Sequence, residues 1–364
     1  MIFTSIVLAA GLQASSAAVP AFETEILAEG LDYPWSVAEL PGGEILITEK
    51  SGQLRWYREG RLQDGPVTGG PDVLYGGQGG LLDIVAHPRF AENRLVYLTW
   101  SEGQRRDNVL ALGRARFENG QLLDLETIFV STSRRTDVHY GARLVFLGDG
   151  TILLGLGDGF DLREQAQVAA NHYGTFVHLD ENGRPVSSAF EDSAPGVFSV
   201  GHRNPQAVVV DPDTGAIYAN EHGPQGGDEI NRLIEGGNYG WPITSYGVDY
   251  TGALVTPFDT YPGMSEPILH WTPSIAPAGM AFYSGDMFPE WQGDLFVAAL
   301  IAGDAPTASG HIRWVDLDNG QVVEQTVLLS EFEARFRDVR MASDGSLLAI
   351  TDSENGLLIR VYRD

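Results

Sequence analysis

Short runs in which apolar and polar residues alternate, each broken by a turn of Asp, Gly, Asn or Pro and followed by a second such run, recur along this chain. A period of two puts every second side chain on one face of a pleated strand, so the pattern predicts β-hairpins. Six units carry it: SVAELPGGEILITE from Ser36, LDIVAHPRFAENRLVYLTW from Leu82, ARLVFLGDGTILLGLGDG from Ala142, AVVVDPDTGAIYANEHG from Ala207, MAFYSGDMFPEWQGDLFVAAL from Met280 and VRMASDGSLLAITD from Val339. Their turns PGG, GDG, PDTG and SDG contain the residues that tolerate the positive φ of a tight reversal. The units recur at intervals of roughly 45 to 75 residues, and about 55 residues per unit is enough for four short strands. The pattern predicts an all-β fold, a six-bladed β-propeller with four-stranded antiparallel blades around a central channel. Two stacked β-sandwich domains would need a boundary, and no Pro/Ser-rich linker or composition shift supplies one. Helix is scarce: only residues 161–171 (DLREQAQVAAN) read as one or two helical turns.

The N-terminus departs from this pattern. Residues 2–12 form an apolar run too short to span a bilayer, and the small residues of GLQASSAAVP follow it. Residues 1–18 therefore read as a secretory signal peptide cleaved near Ala17 or Ala18, leaving 19–364 as a single propeller domain in the periplasm or outside the cell. The formal net charge is −26, from 49 acidic and 23 basic residues, and Lys50 is the only lysine. Such a balance argues against a nucleic-acid partner and fits a solvated acidic surface. The absence of cysteine excludes disulfides, thiolate metal sites and a cysteine nucleophile.

Candidate chemistry gathers at the ends of the units. Residues 201–229 pack GHRNPQ and EHGPQGGDE into loops dense in charge and turn formers, the pattern of a rigid polar site. The third unit is preceded by His139 and ends in Asp158, which brings the two to neighbouring loops of one blade. A carboxylate beside a histidine fixes its tautomer and stabilises the imidazolium, the arrangement of a general base. Taken singly, His139 reads as a strand-capping histidine and Asp158 as a turn aspartate; the pairing favours chemistry. The GGQGG around Gln78 reads either as a flexible turn or as an open backbone that a flat ligand can approach. Arg335 and Arg337 alternate and so share one face, as an anion clamp or as partners of Glu331 and Glu333. Asp228, Glu229 and Asp249 supply hard oxygen ligands suited to Ca²⁺.

PWSVAELPGGEILITEKSGQLR, GGQGGLLDIVAHPRFAENRLVYL, GHRNPQ, EHGPQGGDEIN, GGNYGWPITSYG, PSIAPAGMAFY and RFRDV stand in one order from about Leu31 to the C-terminus. With them the chain resembles the soluble PQQ-dependent sugar dehydrogenases, the glucose and aldose sugar dehydrogenase group. The resemblance implies a six-bladed propeller that oxidises an aldose sugar at C1 to its lactone, with hydride passing to PQQ and electrons leaving to an external acceptor. It implies His139 as the base that takes the hydroxyl proton, Asp158 as the group that orients it, and Arg203 against the quinone oxygen. Gln78, Arg203, Asn204, Ser274, Arg335 and Arg337 match positions around PQQ. The Gly223 and Pro224 carbonyls match those that hold a catalytic Ca²⁺, and Glu229, the Tyr239 carbonyl and Asp249 match a second, structural calcium.

The chain also departs from the family's pattern. Where relatives carry a lysine or arginine after the GDLFVAAL strand, this chain reads IAGDAPTASGHIRW, which leaves Arg313 as the candidate substitute and no lysine to serve, since Lys50 lies elsewhere in the sequence. The loop GDGFDLREQ is longer than in relatives, and Thr175 or Phe176 stands where they have a basic residue. Two other functions share the six-bladed scaffold: a calcium-dependent lactonase, and a non-catalytic propeller that binds a sugar or cofactor.

Overall fold

A computed structural model describes residues 19–186 and 189–364. The residues read as a signal peptide lie outside the described residues. Six four-stranded antiparallel sheets follow one another around an axis, as the repeat pattern predicts. Their innermost strands are Pro34–Leu40, Leu81–Ala86, Gly141–Phe146, Pro205–Val210, Pro277–Phe282 and Phe336–Met341. Each of the six sequence units is the inner hairpin of one blade, which is why these units are the most apolar segments: strands such as Ile152–Leu156 and Leu295–Ala299 are buried at every position. Outer strands carry a weaker pattern because one edge faces water. Glu23–Leu31 pairs with Gly356–Tyr362, so the first strand of the described chain completes the last blade and closes the ring. Closure removes two free strand edges from the sixth blade's seam.

The blades are held together by apolar layers between neighbouring sheets. Trp291, Phe288, Phe296 and Trp314 of the fifth blade pack with Phe336, Val339 and Ile359 of the sixth. Leu40, Leu46 and Leu54 of the first pack with Leu81, Leu98, Trp100 and Phe117 of the second. Each such side chain contributes on the order of 1.5–3 kcal/mol on burial. Helix is as scarce as expected, but residues 161–171 form only a 3-10 turn, Arg163–Gln167. Side chains there are committed to tertiary contacts: Gln167 Nε2 donates to Asn238 Oδ1 at 3.0 Å and to the Trp241 carbonyl at 2.8 Å. No helix among the described residues is long and apolar enough to cross a membrane.

The axis is filled by charge. Arg143, on the third blade's inner strand, donates from Nη1 to Asp83 of the second blade and Asp338 of the sixth, both at 3.0 Å. Its Nε donates to the Gln206 carbonyl of the fourth blade at 2.9 Å and its Nη2 to the carbonyls of Trp35 and Arg337. Arg340 joins the same two carboxylates, and Ser36 Oγ donates to Asp83 at 2.7 Å. The fifth blade makes room with Gly279, where an added Cβ would lie 1.7 Å from Asp338 Oδ1. This plug is the floor on which the functional face is built, because Trp35, Gln206 and Arg337 also line the cavity above it.

Candidate functional site

The inner hairpin of the third blade positions the central pair. Gly141 pairs with Leu156, so the residues just before and just after this register lie side by side. His139 Nδ1 donates to Asp158 Oδ1 at 2.7 Å, and both side chains are almost fully buried. Asp158 is satisfied at both oxygens, also accepting from the Phe160 amide at 2.7 Å and from Trp241 Nε1 at 2.8 Å. The turn that achieves this is tight: His139 has a left-handed backbone (φ 51°), and an added Cβ at Gly157 would lie 2.2 Å from its carbonyl oxygen. That same carbonyl accepts from Arg134 Nη1 at 2.6 Å, while the Arg134 guanidinium lies over Tyr140 and Tyr173. Gln78 completes the clamp, its Oε1 accepting from the His139 amide at 2.7 Å.

Electrostatics suits this histidine to the role of base. Burial pulls the imidazole below its ordinary value, and the Arg203 and Arg134 charges add to that against the opposing pull of Asp158. Burial alone would raise Asp158, but the hydrogen bond and charge of His139, the Phe160 amide and Arg203 together hold it low. The pair at neutral pH is therefore neutral imidazole beside carboxylate. With Nδ1–H committed to Asp158, Nε2 is left as the acceptor.

Two cavities lie on this face, and the pair lines the first of them. One, of about 530 Å³, is lined by His139, Asp158, Phe160, Arg163, Arg203, Trp241, Asp249 and Tyr250 among others. Its wall is aromatic: Phe160 lies edge-on to His139 with ring centroids 5.1 Å apart and is stacked with Tyr250 at 6.3 Å. The GDGFDLREQ loop supplies Asp158, Phe160, Asp161, Arg163 and Glu164 to this wall. The other, of about 340 Å³, lies over the axial plug and is lined by Trp35, Lys50, Gln78, Asn204, His222, Arg335, Arg337 and Asp352 among others. Arg335 and Arg337 both donate to Asp352, at 3.2 and 2.8 Å, rather than to Glu331 or Glu333. His222 is half-buried, and burial followed by the Arg203 and Arg337 charges pushes it down to about 3. Its Nε2 has no hydrogen-bond partner among the described residues. An orphaned acceptor in a cavity walled by guanidinium groups is a cradle for an anionic group that also carries donors.

Arg203 lies between the cavities. It donates from Nη1 to the carbonyls of Gly223 (2.5 Å) and His222 (3.1 Å), so a cation already rests on one of the carbonyls expected to face calcium. Ser274, expected beside the cofactor, instead donates to Asp228 Oδ2 at 2.6 Å and does not line the 340 Å³ cavity. Asp228 Oδ2 also accepts from the Ile275 and Ala276 amides, and burial pushes its carboxyl up to about 6. Glu229 and Asp249, expected to share a calcium, face different surroundings. Asp249 pairs with Arg163 at 3.5 Å in the aromatic cavity. Glu229 is half-buried and accepts from Asn231 Nδ2 at 3.2 Å, and the same amide donates to Glu221 at 3.2 Å. Glu221 also accepts from His202 Nδ1 at 2.8 Å, and the His202 ring stacks on Tyr239 at 4.6 Å. Tyr239 is thus beside this carboxylate pair, whereas the Asp249 side chain is engaged elsewhere. Among the described residues no three His, Asp or Glu side chains stand together as a metal-binding cluster.

Two further expectations are corrected. Arg313 does not line the 340 Å³ cavity; its Nη2 donates to Asp304 at 2.5 Å. Lys50, set aside on its sequence position, lines that cavity, because the first blade's hairpin ends at the axis beside the sixth blade. Thr175 and Phe176 lie in the third blade's interior, where Phe176 packs edge-on against His202 at 4.9 Å, and line neither cavity. The sequence reading assigned no role to Trp241, Arg134, Phe160, Glu221 or His222. Glu221 and His222 stand in the polar EHGPQGGDE loop, and Trp241 is the one indole inside the GGNYGWP loop; Arg134 and Phe160 carry no signal of that kind.

Comparison with known proteins agrees with this architecture. The family model described as Glucose / Sorbosone dehydrogenase matches residues 31–360. The chain is 36% identical over 367 residues to the aldose sugar dehydrogenase YliI of Escherichia coli, covering 98% of this chain and 96% of that protein. It is 23% identical over 424 residues to quinoprotein glucose dehydrogenase B of Acinetobacter calcoaceticus, covering 91% of this chain and 86% of that protein. The crystal structure of the apo soluble aldose sugar dehydrogenase of Escherichia coli superposes with a TM-score of 0.88 at 35% identity, covering 94% of this chain and all of that one. A histidine and carboxylate clamped beside an anion cradle, on a six-bladed propeller matched over nearly its whole length, make this chain a member of the glucose/sorbosone dehydrogenase family of oxidoreductases, with aldose sugar dehydrogenases as its relatives.

Proposed function

We propose that this protein oxidises an aldose sugar at C1 to its lactone, using PQQ in the 340 Å³ cavity and passing electrons to an external acceptor. The observation that carries the reading is the His139–Asp158 pair, which opens into an aromatic-walled cavity next to a cradle of cations with an orphaned acceptor. PQQ bound there supplies a two-electron acceptor for the hydride that leaves C1. The chain's residues do the rest. Phe160, Trp241 and Tyr250 offer flat apolar faces to a sugar ring. His139 Nε2 takes the proton of the C1 hydroxyl as the hydride departs. Asp158 keeps the imidazole in the reactive tautomer and stabilises the imidazolium. Arg203 places positive charge where negative charge develops on the acceptor. Gln78, Asn204, Arg335 and Arg337 would hold the cofactor, the two arginines offering their guanidinium groups to its carboxylates.

The Gly223 and Pro224 carbonyls would hold a Ca²⁺ beside the cofactor, at the place where Arg203 now rests on Gly223. A second Ca²⁺ at Glu229 and the Tyr239 carbonyl would displace the proton that Glu229 holds, with Glu221 as a further oxygen donor. We assign the protein to the periplasm or the cell exterior, on the reading of residues 1–18.

The test is reconstitution of purified protein with PQQ and Ca²⁺, followed by aldose-dependent reduction of an artificial dye. Turnover that vanishes on chelation and returns with Ca²⁺ is expected. Acid release without dye reduction would favour a lactonase instead, and ligand binding without either would leave a binding protein.

The Glu229 environment makes a separate prediction. Burial, then the Glu221 charge, raises the Glu229 carboxyl to about 8, against an ordinary value of 4.5. Between these values the metal-free folded protein holds a proton that the unfolded chain has released. Its stability therefore falls as pH rises through that window. Glu229→Gln should flatten this slope in thermal melts without metal, and should also abolish the stabilisation that added Ca²⁺ gives the parent protein at pH 8. A parent protein equally stable with and without Ca²⁺ at that pH would argue against the structural calcium.

A further inference from the structure

We propose that Lys50 is a binding residue for the carboxylates of the cofactor, the third cation of a wall it forms with Arg335 and Arg337. The inference rests on the PQQ reading above and extends it to a residue outside the matched cofactor positions.

Three observations carry it. The chain has 23 basic residues and uses lysine once, and that lysine lines the 340 Å³ cavity. Among the described residues Nζ makes a single hydrogen bond, to the Gly77 carbonyl at 3.4 Å, and no ion pair. An ammonium has three donors, so most of its hydrogen-bonding capacity is uncommitted. Finally, the cavity's charge is out of balance: Lys50, Arg335 and Arg337 face one carboxylate, Asp352, and that carboxylate is already shared by the two arginines. In a protein of net charge −26 a pocket with excess positive charge is a local inversion of the surface field. The ammonium registers the crowding: burial first, and then the Arg337 and Arg335 charges, lower its affinity for its proton against the opposing pull of Asp352. A polycarboxylate ligand relieves that repulsion, and a tricarboxylate has one group for each cation. Arg313, held by Asp304, is not available for the task.

The Lys50 backbone is also fixed at this place. Gly80 lies so close to the Lys50 backbone that an added Cβ there would stand 2.0 Å from the Lys50 carbonyl oxygen. The Lys50 backbone is therefore packed tightly against the GGQGG loop that carries Gln78. Only the flexible stem reaches into the cavity, and a compact ammonium at its tip can follow a ligand carboxylate.

The experiment measures the dissociation constant of PQQ for the metal-loaded full-length mature protein by equilibrium dialysis, with absorbance of free PQQ as the readout, for the parent, Lys50→Met and Lys50→Arg. Loss of one charge-assisted hydrogen bond predicts a roughly ten- to hundredfold weaker constant for Lys50→Met. Lys50→Arg should recover most of it. Raising the salt concentration should weaken binding by the parent more than by Lys50→Met, a signature that a merely packed side chain would not give. Unchanged melting temperatures confirm that the variants fold. Equal constants for the parent and Lys50→Met, with parallel salt dependence, would overturn the role of Lys50 while leaving PQQ binding intact. A parent protein that binds no PQQ would overturn both this inference and the functional reading beneath it.

Discussion

Replacing His139 by alanine is expected to lower the rate of sugar oxidation by about a hundredfold to ten-thousandfold, the usual contribution of a positioned base. Cofactor binding should survive, because the side chain faces the aromatic cavity and the cradle is lined by other residues. The pH profile gives a second view of the same group. Because burial and two arginines depress the imidazole, the active neutral form persists below the ordinary histidine value of 6.5, and activity should fall only when acid reaches that lowered range. Asp158→Asn removes the charge that stabilises the imidazolium and opposes the depression, and its amide NH2 competes with the oxygen that fixes the tautomer. It should reduce the rate and move the acid limb further down. Steady-state kinetics across pH, together with PQQ dialysis, checks both variants. An unchanged rate in His139→Ala would remove this residue from the chemistry, and an acid limb that rose in Asp158→Asn would contradict the electrostatic account.

Arg143→Leu should be the most destabilising of the single substitutions considered. The guanidinium is fully buried, and its loss leaves Asp83 and Asp338 facing each other at the axis with only Arg340 between them. Breaking a buried pair by removing one partner costs on the order of 3–5 kcal/mol. It also removes donors from the carbonyls of Trp35, Gln206 and Arg337. Thermal and denaturant unfolding should show the loss. Adding Asp83→Asn and Asp338→Asn to Arg143→Leu should restore part of it, since the uncompensated charges then disappear. Because Trp35, Gln206 and Arg337 also line the 340 Å³ cavity, weaker PQQ binding should accompany the lost stability if the proposed function holds. A melting temperature within a degree or two of the parent would show that the plug contributes little.

The parts of the site legible in the sequence were those whose signal is local. His139 and Asp158 flank a hairpin whose apolar alternation and GDG turn set the register, so their meeting follows from the strand period. The arginines of ARFRDV alternate by two and do share one partner. What the sequence does not show is which charges the folded loops and neighbouring blades bring together. Lys50 was discounted because it lies far in sequence from the GDLFVAAL strand, but ring closure brings the end of the first blade beside the sixth. Arg313 looked available until the loop before it delivered Asp304. Asp249 looked like a partner of Glu229 because both are carboxylates in adjoining loops, yet its side chain pairs with Arg163.

By itself the sequence determined the repeat of inner hairpins, the all-β class, the number of blades and the histidine–carboxylate pair, because strand period, turn chemistry and hairpin register are local properties of the chain. Only the tertiary structure decided the closing strand at Glu23–Leu31, the axial plug around Arg143 and the cation wall that includes Lys50. The reason is that a propeller joins residues from different blades at its axis. Sequence distance there carries no information about spatial distance, and which charges share a cavity is set by how the blades pack.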